Sequence, residues 1–146
     1  MNLPETRITD FIKEHHVLTL ATSDLNESWC SNCFYTYLKD ENAFLFTSDI
    51  DTKHALMGVK NPRVSGSVVL ETKIVNKIRG IQFTGELVKV DNTEHSKYRL
   101  KYLMKFPYAI LINTDLWIIK LDLIKMTDNR LRFGKKLIWK RTSNEN

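Results

Sequence analysis

The chain has 146 residues, of which 22 are basic and 17 acidic, so its net charge is +5, and 42% of its residues are apolar. These values predict one domain over residues 1–146 and exclude a largely disordered chain, although the polar tail 142–146 is predicted to be disordered. No apolar run approaches the roughly 20 residues of a membrane-spanning helix and no signal peptide is visible, so we predict a cytoplasmic protein with no membrane partner.

Most of the chain is predicted to be β-structure. Alternating residues rich in β-branched and aromatic types predict strands over 16–22, 28–38, 43–48, 63–71, 79–90, 116–126 and 137–140. The first three are joined by short polar turns, as in a meander. Six or seven strands at this spacing favour a closed antiparallel barrel over a parallel sheet.

Three helices are predicted between these strands. Pro4 suits the first turn of a helix over 4–15, whose buried face is formed by Ile8, Phe11, Ile12 and His15. A second helix, over 52–60, has Asp51 as its predicted N-cap and Ala55, Leu56 and Val59 as its buried stripe. The third runs from about 93 to 106, with Tyr98, Tyr102 and Phe106 on one face.

The segment from Thr47 to Lys53 is a candidate anion site. A strand ends there in two hydroxyl residues, Thr47 and Ser48, and a helix begins four residues later. Helix N-termini present free N–H groups and a partial positive charge that suit a phosphate, to which Lys53 would add a full charge. Ordinary helix capping by Asp51 is the alternative interpretation.

The strand 79–90 carries the second candidate. Gly80 and Gly85 would allow a ligand or a neighbouring strand to approach the backbone closely, and Gln82 can both donate and accept hydrogen bonds. The alternative is a bulged barrel corner with a surface glutamine. Gly66 is likewise predicted to mark a bulge or a close backbone approach.

Other residues with reactive side chains show no known catalytic or metal-binding pattern. Cys30 and Cys33 lie three apart on one predicted strand, so they point to opposite faces, and both are predicted to be buried, unreactive thiols. The four histidines have no metal-ligand spacing, and P-loop, Rossmann and nucleophile-elbow motifs are absent. No catalytic residue and no metal site is therefore predicted.

The basic segment 130–141 is either a solvated strand face or part of an anion site or dimer groove. It holds six basic residues and no acid: Arg130, Arg132, Lys135, Lys136, Lys140 and Arg141. A nucleic-acid partner is not favoured, because aromatic residues are not interleaved with these charges in a known binding motif.

In their order and spacing, several of these motifs resemble those of the pyridoxamine 5′-phosphate oxidase-like FMN-binding split barrels, and most closely those of the bacterial YhbP-like branch. The resemblance covers nearly the whole chain. It is carried by Thr47-Ser48, Thr52-Lys53-His54-Ala55, Asn61-Pro62-Arg63-Val64, Arg79-Gly80-Ile81-Gln82-Phe83, Phe106-Pro107 and Phe133-Gly134-Lys135-Lys136.

This resemblance implies a six-stranded antiparallel split β-barrel that forms a homodimer and binds FMN, or another phosphorylated small molecule, at the dimer interface. By position, Thr47, Ser48 and Lys53 would hold the phosphate. Asn32, Phe34 and Gln82 would line the flavin groove, and Lys136 or Trp139 would reach it from the partner chain. The chain lacks the C-terminal arginine–histidine signature of the true oxidases, so vitamin B6 oxidation is not implied.

Three functions therefore remain as hypotheses. The first is an FMN-binding protein, which as an enzyme would be a flavin-dependent oxidoreductase. The second is a non-catalytic small-ligand or haem-binding module, with His15, His16 or His54 as an iron ligand. The third, a nucleic-acid binder using residues 130–141, has the least support.

Overall fold

A computed structural model describes residues 2–143 of the chain. Residues 144–146 of the predicted disordered tail lie outside the described part. The helices are α1 (Thr6–Glu14), α2 (Lys53–Lys60) and α3 (His95–Lys105), with short 3₁₀ turns at Val75–Lys77 and Pro107–Leu111. The strands are β1 (Val17–Asp24), β2 (Glu27–Leu38), β3 (Ala43–Thr47), β4 (Arg63–Val69), β5 (Arg79–Lys89), β6 (Leu116–Asp128) and β7 (Lys136–Lys140).

The strands form one antiparallel sheet in the order β3-β2-β1-β4-β5-β6-β7, and β3 also pairs with β6. This second pairing closes six strands into a barrel, as predicted. The sheet itself has seven strands rather than six, because β6 is long enough to pair with β3 through its first half and with β7 through its second.

The barrel is filled by side chains that alternate inward along each strand. In β5, Ile81, Phe83 and Leu87 are buried, whereas Gln82 between them is exposed. Gly66 on β4 confirms the predicted close approach, because a Cβ there would lie 2.3 Å from the carbonyl oxygen of Thr19. The predicted bulge in β5 is also present, as a register shift against β6 between Thr84 and Gly85.

Helices α1 and α2 lie at opposite ends of the barrel. In α1, Ile8, Phe11 and Ile12 are 1% exposed or less and join the barrel core, and the Tyr35 hydroxyl donates to the carbonyl of Ile12. In α2, Gly58 lies against Thr22 and Leu87 at the far end of β1 and β5, because a Cβ on this glycine would contact both side chains. The third helix packs outside the barrel, where Tyr98, Tyr102 and Phe106 are buried as predicted.

Two details of the α2 prediction are wrong. The N-cap is Thr52 rather than Asp51, since the Thr52 hydroxyl accepts from the backbone N–H of Ala55. The buried residues are Ala55, Met57 and Gly58, whereas Leu56 and Val59 are 52% and 60% exposed. The cause is the close packing of the helix on β1 and β5, which only small residues at Ala55 and Gly58 allow.

Candidate functional site

Polar side chains form a row across the outer face of the barrel. The strand registers place Asn32, Thr19, Ser67, Gln82 and Lys125 opposite one another on β2, β1, β4, β5 and β6. Strands lie about 4.8 Å apart, so Asn32 and Gln82 are separated by about 14 Å along this cross-strand row. The structure therefore brings these two predicted groove residues to one surface.

The row has free hydrogen-bonding groups. The Thr19 hydroxyl donates to the Asn32 side-chain oxygen at 2.8 Å, which leaves the Asn32 amide N–H groups to donate outward. Among residues 2–143, the side chains of Gln82 and Lys125 have no hydrogen-bond partner in the protein. A flat ligand with oxygen and nitrogen atoms on its edge fits such a set of donors.

A shallow cavity of about 430 Å³ lies along the middle of this row. Its walls are short side chains, with Ala21, Ser65 and Ser67 beside Gln82 and Lys125. The small side chains leave room for a planar ring to lie against the sheet, as a flavin groove requires. The donors and the shape of this surface thus fit the ring system of a flavin.

Phe34 stands beside the row on β2 and is 51% exposed. Its ring stacks on that of His16, with the two planes 8° apart, and it meets Phe106 edge to face. The Tyr102 hydroxyl donates to the Phe34 carbonyl at 3.3 Å and lies close enough to the Thr47 side chain for that group to lower the pKa of Tyr102. Thr47 and Phe34 are therefore neighbours at the place where the groove meets the end of β3.

Ser48, Thr52 and His54 form a hydrogen-bonded cluster at the start of α2, which we call the α2-start cluster. Ser48 Oγ lies 2.6 Å from His54 Nε2 and 3.3 Å from Thr52 Oγ1. The backbone holds this geometry in place, because the indole N–H of the buried Trp117 donates to the Ser48 carbonyl at 2.8 Å. Burial lowers the pKa of His54, which favours the neutral imidazole.

Lys53 lies beside this cluster in the first turn of α2. Its ammonium group donates to Glu27 at 2.5 Å and lies 4.3 Å from the centre of the Trp29 ring. Both partners are exposed, so the ion pair is screened by water and contributes little to stability. An anion at the start of α2 can therefore draw Lys53 away from Glu27 at small cost.

Lys136 and Trp139 lie in different environments. Lys136 donates to the Thr127 hydroxyl at 2.8 Å and lines, with Gln82 and Lys125, a second outer cavity of about 490 Å³. Trp139 is only 5% exposed, and its indole N–H donates to the carbonyl of Asn2. The buried Trp139 side chain is thus part of the core and does not reach toward another chain.

Two other residues of the basic segment have partners within the protein. Arg130 forms an ion pair with the buried Asp128, and Arg141 donates to the carbonyls of Leu121 and Glu41. These contacts agree with the structural alternative for these two residues. They leave Lys136 as the residue of this segment that shares a cavity with the cross-strand row.

The two cysteines differ in exposure. Cys33 is buried, which raises the pKa of its thiol to about 11, so it is the unreactive group that the sequence predicts. The prediction is wrong for Cys30, which is exposed and lines the cavity of the cross-strand row. Residue 30 lies on the outward face of β2, the face opposite that of Cys33, so burial of one thiol implies exposure of the other.

Sequence reasoning missed three members of the site: Thr19, Ser67 and Lys125. Each is a common surface residue whose role appears only when the strand registers align it with Asn32 and Gln82. The alternation of Ser65, Ser67 and Val69 along β4 predicts which face of that strand points outward, but no sequence signal predicts its register with the neighbouring strands. The sequence predicts a chemical role for His54 only as an iron ligand. Its contact with Ser48 depends on the position and orientation of α2 in the fold.

The described residues contain neither a cluster of metal ligands nor a helix that could span a membrane. Within residues 2–143, no group of three or more histidine, cysteine or acidic side chains is placed to hold a metal ion. No helix in this part of the chain is long and apolar enough to cross a membrane.

Comparison with known proteins places the chain among bacterial relatives of similar length. No protein-family profile matches it. It is 40% identical over 131 residues to the UPF0306 protein plu4501 of Photorhabdus laumondii, a match that covers 90% of this chain and 92% of the relative. It is 39% identical over 138 residues to the UPF0306 protein YhbP of Escherichia fergusonii, covering 94% of both chains.

Solved structures share the fold at low sequence identity. A pyridoxamine 5′-phosphate oxidase-related, FMN-binding protein of Nostoc punctiforme matches with a TM-score of 0.73 and 14% identity, over 100% of this chain and 96% of that one. A FAD-binding protein of Mesorhizobium loti gives 0.69 and 16%, over 85% and 94%. A haem-binding protein of Mycobacterium smegmatis gives 0.71 and 17%, over 86% and 52%.

These matches confirm the family resemblance and the split-barrel architecture. Because the curated relatives exceed 30% identity over nine tenths of the chain, the chain belongs to the UPF0306 family of YhbP-like proteins, and its fold is that of the pyridoxamine 5′-phosphate oxidase-like split barrels.

Proposed function

We propose that this protein binds FMN on the outer face of its barrel. The observation that carries the proposal is the cross-strand row, in which the amide N–H groups of Asn32, the side-chain amide of Gln82 and the ammonium of Lys125 surround a surface of small residues. Fold relatives that bind FMN or FAD support it. The isoalloxazine would lie along this row beside Phe34.

The phosphate of the flavin would lie at the start of α2. Free backbone N–H groups, the hydroxyls of Thr47 and Ser48, and the ammonium of Lys53 would hold it. The contact of Tyr102 with both Phe34 and Thr47 makes this anion site continuous with the outer groove. Lys136, which lines the second outer cavity together with Gln82, would border the far end of the ring.

The groove would be completed by a second copy of the chain. Large apolar side chains stand exposed around it, among them Phe34, Val69 and Ile138, which are 51%, 66% and 62% exposed. A homodimer that covers them would exclude water from one face of the flavin. Light scattering of the purified protein tests this, and a monomer at micromolar concentration would contradict it.

A bound flavin would supply hydride and electron transfer, so the proposed activity is that of a cytoplasmic oxidoreductase. The two free thiols suit a reducing compartment. The chain's own residues would bind and orient: Gln82 and Asn32 would bond the ring edge, and Lys53 would neutralise the phosphate.

The deciding experiment is an absorption spectrum of the purified protein during titration with FMN. We expect saturation at one flavin per chain. Lys53→Gln should weaken FMN binding about tenfold, because it removes a charge-assisted hydrogen bond to the phosphate. It should leave the binding of riboflavin, which has no phosphate, unchanged.

Lys60→Gln is the matched control at the other end of α2, where Lys60 contacts Asp24 at 3.8 Å. Equal FMN affinities in the Lys53 and Lys60 variants would contradict the phosphate assignment. A protein that stays colourless at millimolar FMN would contradict the proposed function itself.

Haem is the second candidate, favoured by one histidine. The His16 side chain makes no hydrogen bond among residues 2–143 and stacks on the exposed Phe34, whereas His15 and His54 are engaged with Phe11 and Ser48. A haem-binding fold relative supports the same reading. A Soret band after haem titration, lost in His16→Ala, would favour haem over flavin.

A further inference from the structure

The α2-start cluster has fewer donor protons than it has short contacts between hydrogen-bonding atoms. Thr52 donates its only hydroxyl proton to the Asp49 carbonyl at 2.9 Å and accepts the N–H of Ala55. Toward Ser48 and His54, each 3.3 Å away, Thr52 can therefore act only as an acceptor. The 2.6 Å contact between Ser48 Oγ and His54 Nε2 is left with two possible directions.

In the first arrangement, Nε2 of a neutral His54 carries no proton. Ser48 then donates to His54, and only oxygen lone pairs of Ser48 remain for a ligand. An anion placed there would be repelled. The cluster in this arrangement is satisfied internally and has no hydroxyl proton to offer a phosphate.

In the second arrangement, Nε2 carries a proton and donates it to Ser48. The Ser48 hydroxyl proton then no longer points to His54, and it can turn either to Thr52 Oγ1, 3.3 Å away, or to an anion at the start of α2. A charged imidazolium always takes this arrangement, since both of its nitrogens are donors. It also brings a positive charge to the same place.

The charges around His54 favour neither of these two hydrogen-bond arrangements. Burial is the cause of its lowered pKa, and no neighbouring charge contributes. The ionic groups on α2 and in the loop before it are Asp49, Asp51, Lys53 and Lys60. The strands packed against α2 carry Asp24 on β1, Glu27 on β2 and Arg79, Glu86 and Lys89 on β5, and Asp115 precedes β6. Three pairs among them are closed, Lys53–Glu27, Lys60–Asp24 and Lys89–Asp115.

We propose that His54 is a positioning residue that turns the Ser48 hydroxyl between His54 and a bound anion, so that anion binding at the start of α2 is coupled to a proton on His54 Nε2. The proposal rests on the proposed phosphate site but needs no flavin. The anion is a phosphate or sulfate group, and Lys53 and the α2 N-terminus supply the rest of its site.

The coupling has a definite sign. A bound anion stabilises the imidazolium and raises the pKa of His54 above its value in the free protein. Anion affinity is therefore highest below the free-state pKa and falls by up to tenfold per pH unit as the pH rises toward the pKa of the complex. Above the pKa of the complex it levels off.

The test uses inorganic sulfate, whose charge is constant from about pH 5 to pH 9, whereas the phosphate of FMN titrates in this range. The Cε1 proton of His54 is followed by NMR during pH titration with and without sulfate. Sulfate should shift the His54 midpoint upward, and its dissociation constant should rise with pH. In His54→Gln, whose side-chain N–H₂ can donate to Ser48 at every pH, this rise should disappear while binding remains.

His95→Gln, on α3, is the control and should keep the pH dependence of the natural protein. A His54 midpoint that sulfate does not move, or an equal pH dependence in His54→Gln, would overturn the proposal. If FMN binds to the natural protein and to His54→Gln with the same pH dependence, the flavin proposal stands and the proposed role of His54 is refuted. If FMN does not bind but sulfate moves the His54 midpoint, the role of His54 stands and the flavin proposal fails.

Discussion

The two helices at the ends of the barrel are held in opposite ways. Helix α1 has no side-chain N-cap, yet Ile8, Phe11 and Ile12 are almost fully buried. Helix α2 has a Thr52 cap and a network of hydroxyl and imidazole groups, but two of its apolar residues, Leu56 and Val59, face outward. The first end is sealed by apolar packing, whereas the second is held by polar groups that stay within reach of a ligand.

The largest expected effect comes from truncating an aliphatic side chain at each end. Ile12→Ala should lower the free energy of unfolding by about 2–5 kcal/mol, because it leaves a cavity in the core. Leu56→Ala should change it by about 0.5 kcal/mol or less, because Leu56 is 52% exposed. Urea unfolding at one protein concentration measures both, and similar losses would refute the contrast.

A buried carboxylate, that of Asp128, also stabilises the end of the barrel that α1 covers. Asp128 is fully buried and accepts from the backbone and guanidinium of Arg130, with a further contact to Arg7 at 3.4 Å. Asp128→Asn should cost about 3 kcal/mol at pH 7, since two guanidinium groups lose their partner. Asp10→Asn, at an exposed position of α1, is the control and should cost little.

The pH dependence of this cost follows from the pKa of Asp128, which the hydrogen bonds from Arg130 lower. The contribution of the carboxylate is fully present above the unfolded-state pKa of about 3.9. It is lost as the pH falls through the lower pKa of the folded state. The urea midpoints of the natural protein and Asp128→Asn should therefore converge in acid; a constant difference down to pH 2 would contradict this.

The smallest expected effect concerns the helix caps. Thr52→Ala should lower the free energy of unfolding by about 1 kcal/mol, because the N–H of Ala55 loses its acceptor. Glu5→Ala, at the N-cap position of α1, should cost less, since Glu5 makes no side-chain cap bond. Thermal unfolding of the two variants compares them, and a larger shift for Glu5→Ala would reverse the argument.

The fold was predictable because hydrophobic periodicity reports burial directly. Strand β5 alternates buried and exposed side chains as its sequence does. Tyr98 and Tyr102 of α3, and Phe106 directly after it, are buried at helical spacing. The prediction of buried residues is wrong where tertiary packing, and not periodicity, decides which side chains are buried. Leu56 and Val59 satisfy the pattern of an apolar stripe, but the barrel end accepts only Ala55 and Gly58 in close contact.

The site was only partly predictable for a related reason. Thr47, Ser48 and Lys53 are close in sequence, so one local motif predicts that they lie together. Gln82 and Asn32 lie in one cross-strand row only through the registers of three strand pairs, which local sequence does not specify. The Ser48–His54 contact depends on a side-chain geometry that no residue pattern predicts.

The closing pairing of β3 with β6 also bears on how the chain is made. The paired residues lie roughly 70 positions apart, so β3 leaves the ribosome long before its partner. Until Leu116–Lys120 emerge, the edges of β3 and β5 stay unpaired and open to strands of other chains. Slow translation just before β6 would prolong this exposed state, whereas the later attachment of β7 is local and fast. The exposure of these edges during synthesis therefore ends only at the strand that closes the barrel, and the same strand carries Lys125 of the proposed ligand site.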